Sequence, residues 1–164
     1  MNRHFGLWAG RLVLTVVAFT LLQAHQTAMA ADGVPVEGMF AMNFQGGPSG
    51  PGTFDFTVNG IGVLSSVGNS TIQVQKTLDI TGKVPIYSGT FTITALNGDT
   101  LTGTYRAVPA PIDSGGFSPF SGVLTVTGGT GRFQGASGTV SFNALSNAGT
   151  SQAVYSMKGT VQTQ

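Results

Sequence analysis

Apolar and polar residues alternate along most of the chain after residue 30. Every second residue is apolar in the segments 53–58 (TFDFTV), 90–95 (TFTITA) and 139–144 (TVSFNA), and the residues between them are Thr, Ser, Asp or Asn. Successive side chains of a β-strand point to opposite faces, so this period of two indicates strands with one buried face and one solvated face. Because no stretch after residue 30 has a helical period, the pattern predicts an all-β domain.

Short turn sequences separate the alternating runs. Asn97-Gly98 lies between two of them, and Asn-Gly in that position is the strongest short-range signal of a β-hairpin. The predicted strands, in chain order, span 37–44, 53–58, 61–67, 70–80, 84–95, 100–108, 121–127 and 138–145, with 151–163 as a candidate ninth. Such strands favour a sandwich or a barrel. We prefer an antiparallel up-and-down β-barrel of about eight strands, since consecutive hairpins place successive strands side by side and closure removes the sheet edges.

Two segments interrupt this regular spacing. Residues 45–52 (QGGPSGPG) are predicted to form a flexible loop, and residues 107–120 (AVPAPIDSGGFSPF) a longer one on which Phe117 and Phe120 are exposed. A long loop on a small barrel serves either as a lid or binding edge or simply as a connector. The sequence leaves both readings open.

The first 30 residues differ in composition from the rest. Residues 1–11 carry two arginines and no acid, an eleven-residue apolar run follows, and the segment ends in Ala28-Met29-Ala30. This order is typical of a secretory signal peptide, with Ala28 and Ala30 as the small residues before the cleavage site. The apolar run is shorter than the roughly 20 residues that cross a membrane. We therefore expect an exported, periplasmic or extracellular protein with one barrel domain over 31–164 and no stable membrane anchor.

Removal of this segment changes the available chemistry. Both histidines and the only tryptophan precede residue 31, and the sequence has no cysteine. Five Lys and Arg and six Asp and Glu remain, so the basic footprint of a nucleic-acid-binding protein is missing. Without His there is no Ser-His-Asp triad, and without His and Cys a zinc site lacks its usual ligands. We expect no metal, no cofactor and no nucleic-acid partner. The absence of the usual catalytic residues argues against an enzyme without deciding the question.

A glycine-rich segment, GGTGRFQGASGTV at 128–140, is the most distinctive stretch. It does not match a phosphate-binding loop, because Gly131 is followed by Arg-Phe instead of Lys-Ser or Lys-Thr and no helix is predicted after it. We interpret it as a wide turn in which Phe133 returns to the end of the barrel while Arg132 stays in solvent.

This segment, together with NGDTLTGTY at 97–105, resembles dirigent proteins and the allene oxide cyclase barrel superfamily, including small secreted bacterial proteins assigned to it. The resemblance implies an eight-stranded antiparallel barrel with an apolar interior, lipocalin-like or allene oxide cyclase-like. It carries over no activity, because the charged pocket residues of dirigents and cyclases belong to motifs that this sequence does not show. It assigns a structural role to Gly128, Gly129, Thr130, Gly131, Arg132, Phe133 and Gly138.

Four residues are candidates for lining a ligand pocket: Tyr87, Tyr105, Arg106 and Tyr155. Tyr105 shares a strand face with Leu101, and Tyr155 shares one with Met157, so close packing of the barrel interior explains the tyrosines without a ligand. Catalytic residues are not identified.

Three functions stay open at this point. The first is non-catalytic binding of a small apolar ligand or a surface partner. The second is dirigent-like or cyclase-like guidance of a reactive small molecule in an apolar pocket, and the third is a structural role at a surface or in a matrix. A barrel cavity of roughly 300 Å³ or more would separate the two pocket functions from a filled barrel. The oligomeric state is open, with a homo-oligomer among the alternatives.

Overall fold

The computed structural model describes residues 33–163. The predicted signal peptide, with Ala28 and Ala30, lies outside the described residues. Among those described, eight strands follow one another: β1 (Val34–Gly50), β2 (Thr53–Leu64), β3 (Gly68–Asp79), β4 (Ile86–Ala95), β5 (Thr100–Pro109), β6 (Phe117–Gly129), β7 (Ser137–Asn147) and β8 (Gln152–Gln162). Each strand pairs antiparallel with the next, and β8 pairs with β1. The predicted all-β fold, a closed antiparallel barrel of eight strands, is confirmed.

The side chains that alternate between apolar and polar along the sequence point alternately into and out of the barrel. On β3, Ile72 and Val74 are buried, while Gln73 and Gln75 between them are exposed. The other strands repeat this arrangement, so that the buried apolar side chains form one core inside the barrel. Burial of that core is the main stabilising contribution in a chain that has no cysteine and so no disulfide.

The predicted break between residues 58 and 61 is wrong. Residues 53–64 form one continuous strand, in which Asn59 pairs with Asn43 and Gly60 with Ile72. Glycine is needed here inside a strand: the Met42 side chain packs directly over Gly60, and a Cβ at Gly60 would overlap the Met42 sulfur. The candidate ninth strand at 151–163 is accordingly the eighth.

Both predicted loops are shorter in the structure. β1 continues through Gly50 with a bulge near Pro48, and Pro51-Gly52 alone make the turn to β2. The long loop reduces to residues 110–116. Phe117 is exposed as expected, but Phe120 is buried, with 7% of its surface exposed. Both residues lie on β6, where positions an odd number apart face opposite sides, so the two cannot share an outer surface.

The glycine-rich turn closes one end of the barrel. Phe133 lies in a short 3₁₀ turn, Gly131–Phe133, and is buried against the core. Gly131 has φ +58°, and a Cβ there would overlap the carboxylate of Asp99. Arg132 is half exposed, as predicted, yet its Nη2 also donates a hydrogen bond of 2.7 Å to the carbonyl of Val67. The arginine therefore ties this turn to the β2–β3 turn.

The remaining turn residues flank that closure. Thr130 Oγ1 accepts a hydrogen bond of 3.1 Å from the backbone N–H of Thr100. Gly128 and Gly129 end β6, and Gly138 lies at the start of β7, where a Cβ would overlap the carbonyl oxygen of Thr160. The β1–β2, β3–β4, β5–β6 and β7–β8 connections lie together at the other end of the barrel, which we call the open end.

Candidate functional site

The open end leads into a cavity of about 600 Å³ inside the barrel. Its mouth is formed by exposed loop residues, among them Ile80, Ile112 and Ala148. Below the mouth the walls are mainly aromatic and aliphatic side chains, and all eight strands contribute to the lining. The lining includes Phe56, Lys76, Leu78, Tyr87, Phe120 and Tyr155.

A packed aromatic layer forms the floor of the cavity. Phe142 is stacked between Tyr105 and Tyr155, with ring centroids 5.2 and 5.1 Å apart. The two tyrosine hydroxyls share a long hydrogen bond of 3.3 Å. Phe120 contacts Tyr155 edge to face at 5.4 Å. This layer and the apolar side chains beneath it separate the cavity from the closed end.

A second row of rings continues along the wall. Phe44 meets Phe56 edge to face at 6.2 Å, Phe56 meets Tyr87 at 6.1 Å, and Tyr87 meets Phe120 at 5.8 Å. Phe44, Phe56 and Tyr87 are only partly buried, because one side of each ring faces the cavity. Aromatic walls of this kind offer a large apolar contact area with defined geometry.

Lys76 is the charged side chain of the cavity. It lies on β3 two residues beyond Val74, on the face that points inward, and only 9% of its surface is exposed. Its Nζ is 3.9 Å from the centre of the Tyr87 ring and 5.0 Å from that of Phe120. Within residues 33–163, no carboxylate lies within salt-bridge distance of this ammonium group. The ion pair found among these residues, Arg132–Asp99, lies at the closed end.

Burial shifts the pKa values of Lys76 and of the three tyrosines inside the barrel. It lowers the pKa of Lys76 from 10.5 to about 7, because the charged form loses its hydration. The aromatic faces around Nζ act in the opposite direction, since they attract a cation. Burial also raises the pKa of Tyr87, Tyr105 and Tyr155, so these phenols are neutral at physiological pH.

The sequence-predicted pocket residues divide into two groups. Tyr87, Tyr105 and Tyr155 lie together inside the barrel: Tyr87 is on the cavity wall, and Tyr105 and Tyr155 belong to the stacked layer of the floor. Arg106 does not join them: its neighbours Tyr105 and Ala107 point inward, so its own side chain is exposed on the outer wall. Including Arg106 among the pocket residues was therefore wrong.

Sequence reasoning missed Lys76, although a signal was present. Residues 72, 74, 76 and 78 read Ile, Val, Lys, Leu, which places a single lysine on an otherwise apolar strand face. Asp55 and Asp79, by contrast, lie away from the cavity. Asp55 accepts a hydrogen bond of 2.6 Å from Thr77 on the outer wall, and Asp79 accepts two from Thr81 in a turn.

No family model, curated protein or solved structure matches this chain. The resemblance to the allene oxide cyclase barrel superfamily therefore stays a prediction. Within residues 33–163, no cluster of three or more His, Cys, Asp or Glu side chains is placed to hold a metal ion. Over the same residues, no helix is long and apolar enough to span a membrane.

Proposed function

We propose that the protein binds a small apolar ligand inside the barrel, without chemical conversion, after export from the cytoplasm. The supporting observation is the cavity of about 600 Å³ with its aromatic walls. This volume lies within the 300–1,000 Å³ that is usual for sites of small molecules. At roughly 30 Å³ per heavy atom, the space that a water molecule takes in the liquid, it accommodates roughly 20 heavy atoms.

The cavity is also preformed. Its floor is the stacked layer of Tyr105, Phe142 and Tyr155, and its walls belong to a closed barrel whose strands are paired on both sides. A ligand that enters would not have to order these side chains, and this reduces the entropic penalty of binding. Apolar contact with the rings supplies the affinity.

The test is a titration with N-phenyl-1-naphthylamine, a neutral probe whose fluorescence rises in an apolar site. We expect saturable binding to the exported protein and at least tenfold weaker binding to Ala153→Phe, which places a ring in the cavity. Val154→Phe is the matched control, because Val154 is the next residue on β8 and is exposed on the outer wall. Thermal unfolding of both variants checks that they fold.

Two results bear on the identity of the ligand and on the proposal itself. Native mass spectrometry of the protein purified from its own host would show a bound small molecule as added mass. Absence of saturable probe binding by well-folded protein would refute the proposal and leave a surface partner or a structural matrix role as the remaining function.

Guidance of a reactive small molecule is a second candidate. It is favoured by one observation: the amine of Lys76, with a pKa lowered to about 7, and the hydroxyls of Tyr87 and Tyr155 line the same apolar space. Such groups can orient a substrate or accept a proton from it. Membership of the allene oxide cyclase barrel superfamily would agree with this function, and conversion of a bound small molecule by the protein would distinguish it from simple binding.

A further inference from the structure

The cavity has a cation but no anion to match it. Lys76 is the charged residue among those that line it, and Asp, Glu and Arg are not found there. The two serine hydroxyls of the lining already have acceptors within the protein. Ser118 donates to the carbonyl of Ala110 at 2.7 Å, and Ser146 donates to the carbonyl of Ser118 at 3.2 Å. A buried charge in such surroundings is normally paired.

The position of Lys76 makes the inner end of the cavity chemically different from its mouth. Its Nζ lies deep in the barrel, between Tyr87, Phe120 and the Tyr105 ring of the floor. Leu78 and Ile80 follow at every second position of the chain and lead from Lys76 to the mouth. The space therefore has a polar anchor at its inner end and apolar walls from there outward.

We propose that the ligand is an apolar molecule with a single anionic head group, which enters head first and pairs with Lys76 Nζ while its tail lies along Leu78 and Ile80. This inference rests on the proposed function, since it specifies the class of molecule that the cavity holds. A carboxylate is the simplest such head group, and its oxygens would form charge-assisted hydrogen bonds with the ammonium group. The ring faces around Nζ hold the ammonium in place before the ligand arrives.

The titration of Lys76 supplies a distinctive signature. The ring centres of Tyr87, Tyr105 and Phe120 lie within 5.4 Å of Nζ. The phenols of Tyr87, Tyr105 and Tyr155 are neutral, and Phe56, which pairs with Lys76 between β2 and β3, carries no charge. The nearest carboxylates along the chain and at the mouth point elsewhere. Asp55 and Asp79 are exposed and bonded to threonines, and Asp113 accepts from the backbone N–H groups of Gly115 and Phe117. Lys76 is thus the cavity group that changes charge between pH 6 and 9.

The experiment compares decanoate with 1-decanol, which have the same chain length and differ in charge. Each displaces N-phenyl-1-naphthylamine from the exported protein at pH 6, 7.5 and 9. We expect decanoate to bind at least tenfold more tightly than decanol at pH 6. Above pH 7 the free lysine must take up a proton when the anion binds, so decanoate affinity should fall by up to tenfold per pH unit while decanol affinity stays constant. Calorimetry at pH 8 in two buffers of different ionisation enthalpy should show uptake of close to one proton per decanoate.

Variants assign the effect to one side chain. Lys76→Met should lose the preference for decanoate and its pH dependence, and should bind decanol within threefold of the wild type. Lys83→Met removes the same charge from the exposed β3–β4 loop near the mouth and should leave both affinities unchanged. Wild-type protein that binds decanol as tightly as decanoate at all three pH values, without proton uptake, would overturn this inference and leave the cavity proposal standing. If neither compound nor the probe binds, both proposals fail.

Discussion

Lys76→Met should stabilise the empty protein, and by an amount that depends on pH. Methionine keeps a flexible side chain of similar length and removes the charge. Burial lowers the pKa of Lys76 from 10.5 to about 7, a difference of about 3.5 pH units. At 1.36 kcal/mol per pH unit this corresponds to a destabilisation of about 5 kcal/mol when the lysine is charged. The cation–π contact with Tyr87, at 3.9 Å, offsets about 1–2 kcal/mol of this.

The sign follows from proton binding. Between about pH 7 and 10.5 the unfolded chain holds the proton of this lysine and the folded protein does not. The free energy of unfolding therefore rises with pH in that window, and the penalty is complete below it. We expect the free energy of unfolding of Lys76→Met to exceed that of the wild type by about 3–4 kcal/mol at pH 6, and this difference to shrink by about 2–3 kcal/mol on going to pH 9.5.

The measurement is urea denaturation at pH 6, 7.5 and 9.5, followed by far-ultraviolet circular dichroism. Urea is preferred because it does not change the ionic strength. Lys158→Met is the control, since Lys158 is exposed on β8 and its removal should leave the pH dependence of the wild type intact. Parallel pH profiles for the wild type and Lys76→Met would refute the reasoning, because they would mean that Lys76 is hydrated in the folded protein.

Three further predictions concern other parts of the barrel. Gly131→Ala should lower the free energy of unfolding by about 1–3 kcal/mol, because φ is +58° and the Asp99 carboxylate occupies the space of the new methyl group; Gly47→Ala, which meets open space, is the control in thermal unfolding. Ser70→Ala should raise it by about 1 kcal/mol in urea titrations, since the buried Ser70 hydroxyl has no hydrogen-bond partner; a loss of stability would reveal one. Above pH 10 the protein should lose stability, because burial raises the pKa of Tyr105 and Tyr155 and the unfolded phenols ionise first; phenolate absorbance that develops with unfolding, and less alkaline loss in Tyr155→Phe, would check this.

The architecture of the barrel was predictable from local patterns. Alternation such as that of residues 90–95 specifies which side of a strand is buried, and Asn97-Gly98 specifies where the next strand begins. Asn59-Gly60 carries nearly the same local signal and yet lies in mid-strand, under the Met42 side chain. A turn and a close side-chain approach both require glycine, and the sequence alone does not distinguish them.

Two of the placements predicted from sequence conflict with the two-residue period of a strand. Tyr105 and Arg106 are adjacent on one strand and cannot both point inward, and Phe117 and Phe120 are three positions apart on another. The cavity itself was beyond local reasoning. Tyr105 and Tyr155 are 50 residues apart, and they meet only because the barrel closes through β8 and β1. Whether the side chains at one end fill the interior depends on all eight strands together.

Lys76 lowers the stability of the barrel, and the proposed ligand gives a reason for its presence. The other inward positions of β3 between residues 72 and 78 are apolar, and an apolar residue at 76 would remove a destabilisation of several kcal/mol. Folding thus gives no reason for a cation at this place, whereas a ligand with an anionic head group does. The sequence is consistent with the fold at the neighbouring inward positions and departs from it at position 76, inside the cavity, which is where a functional residue is expected to conflict with stability.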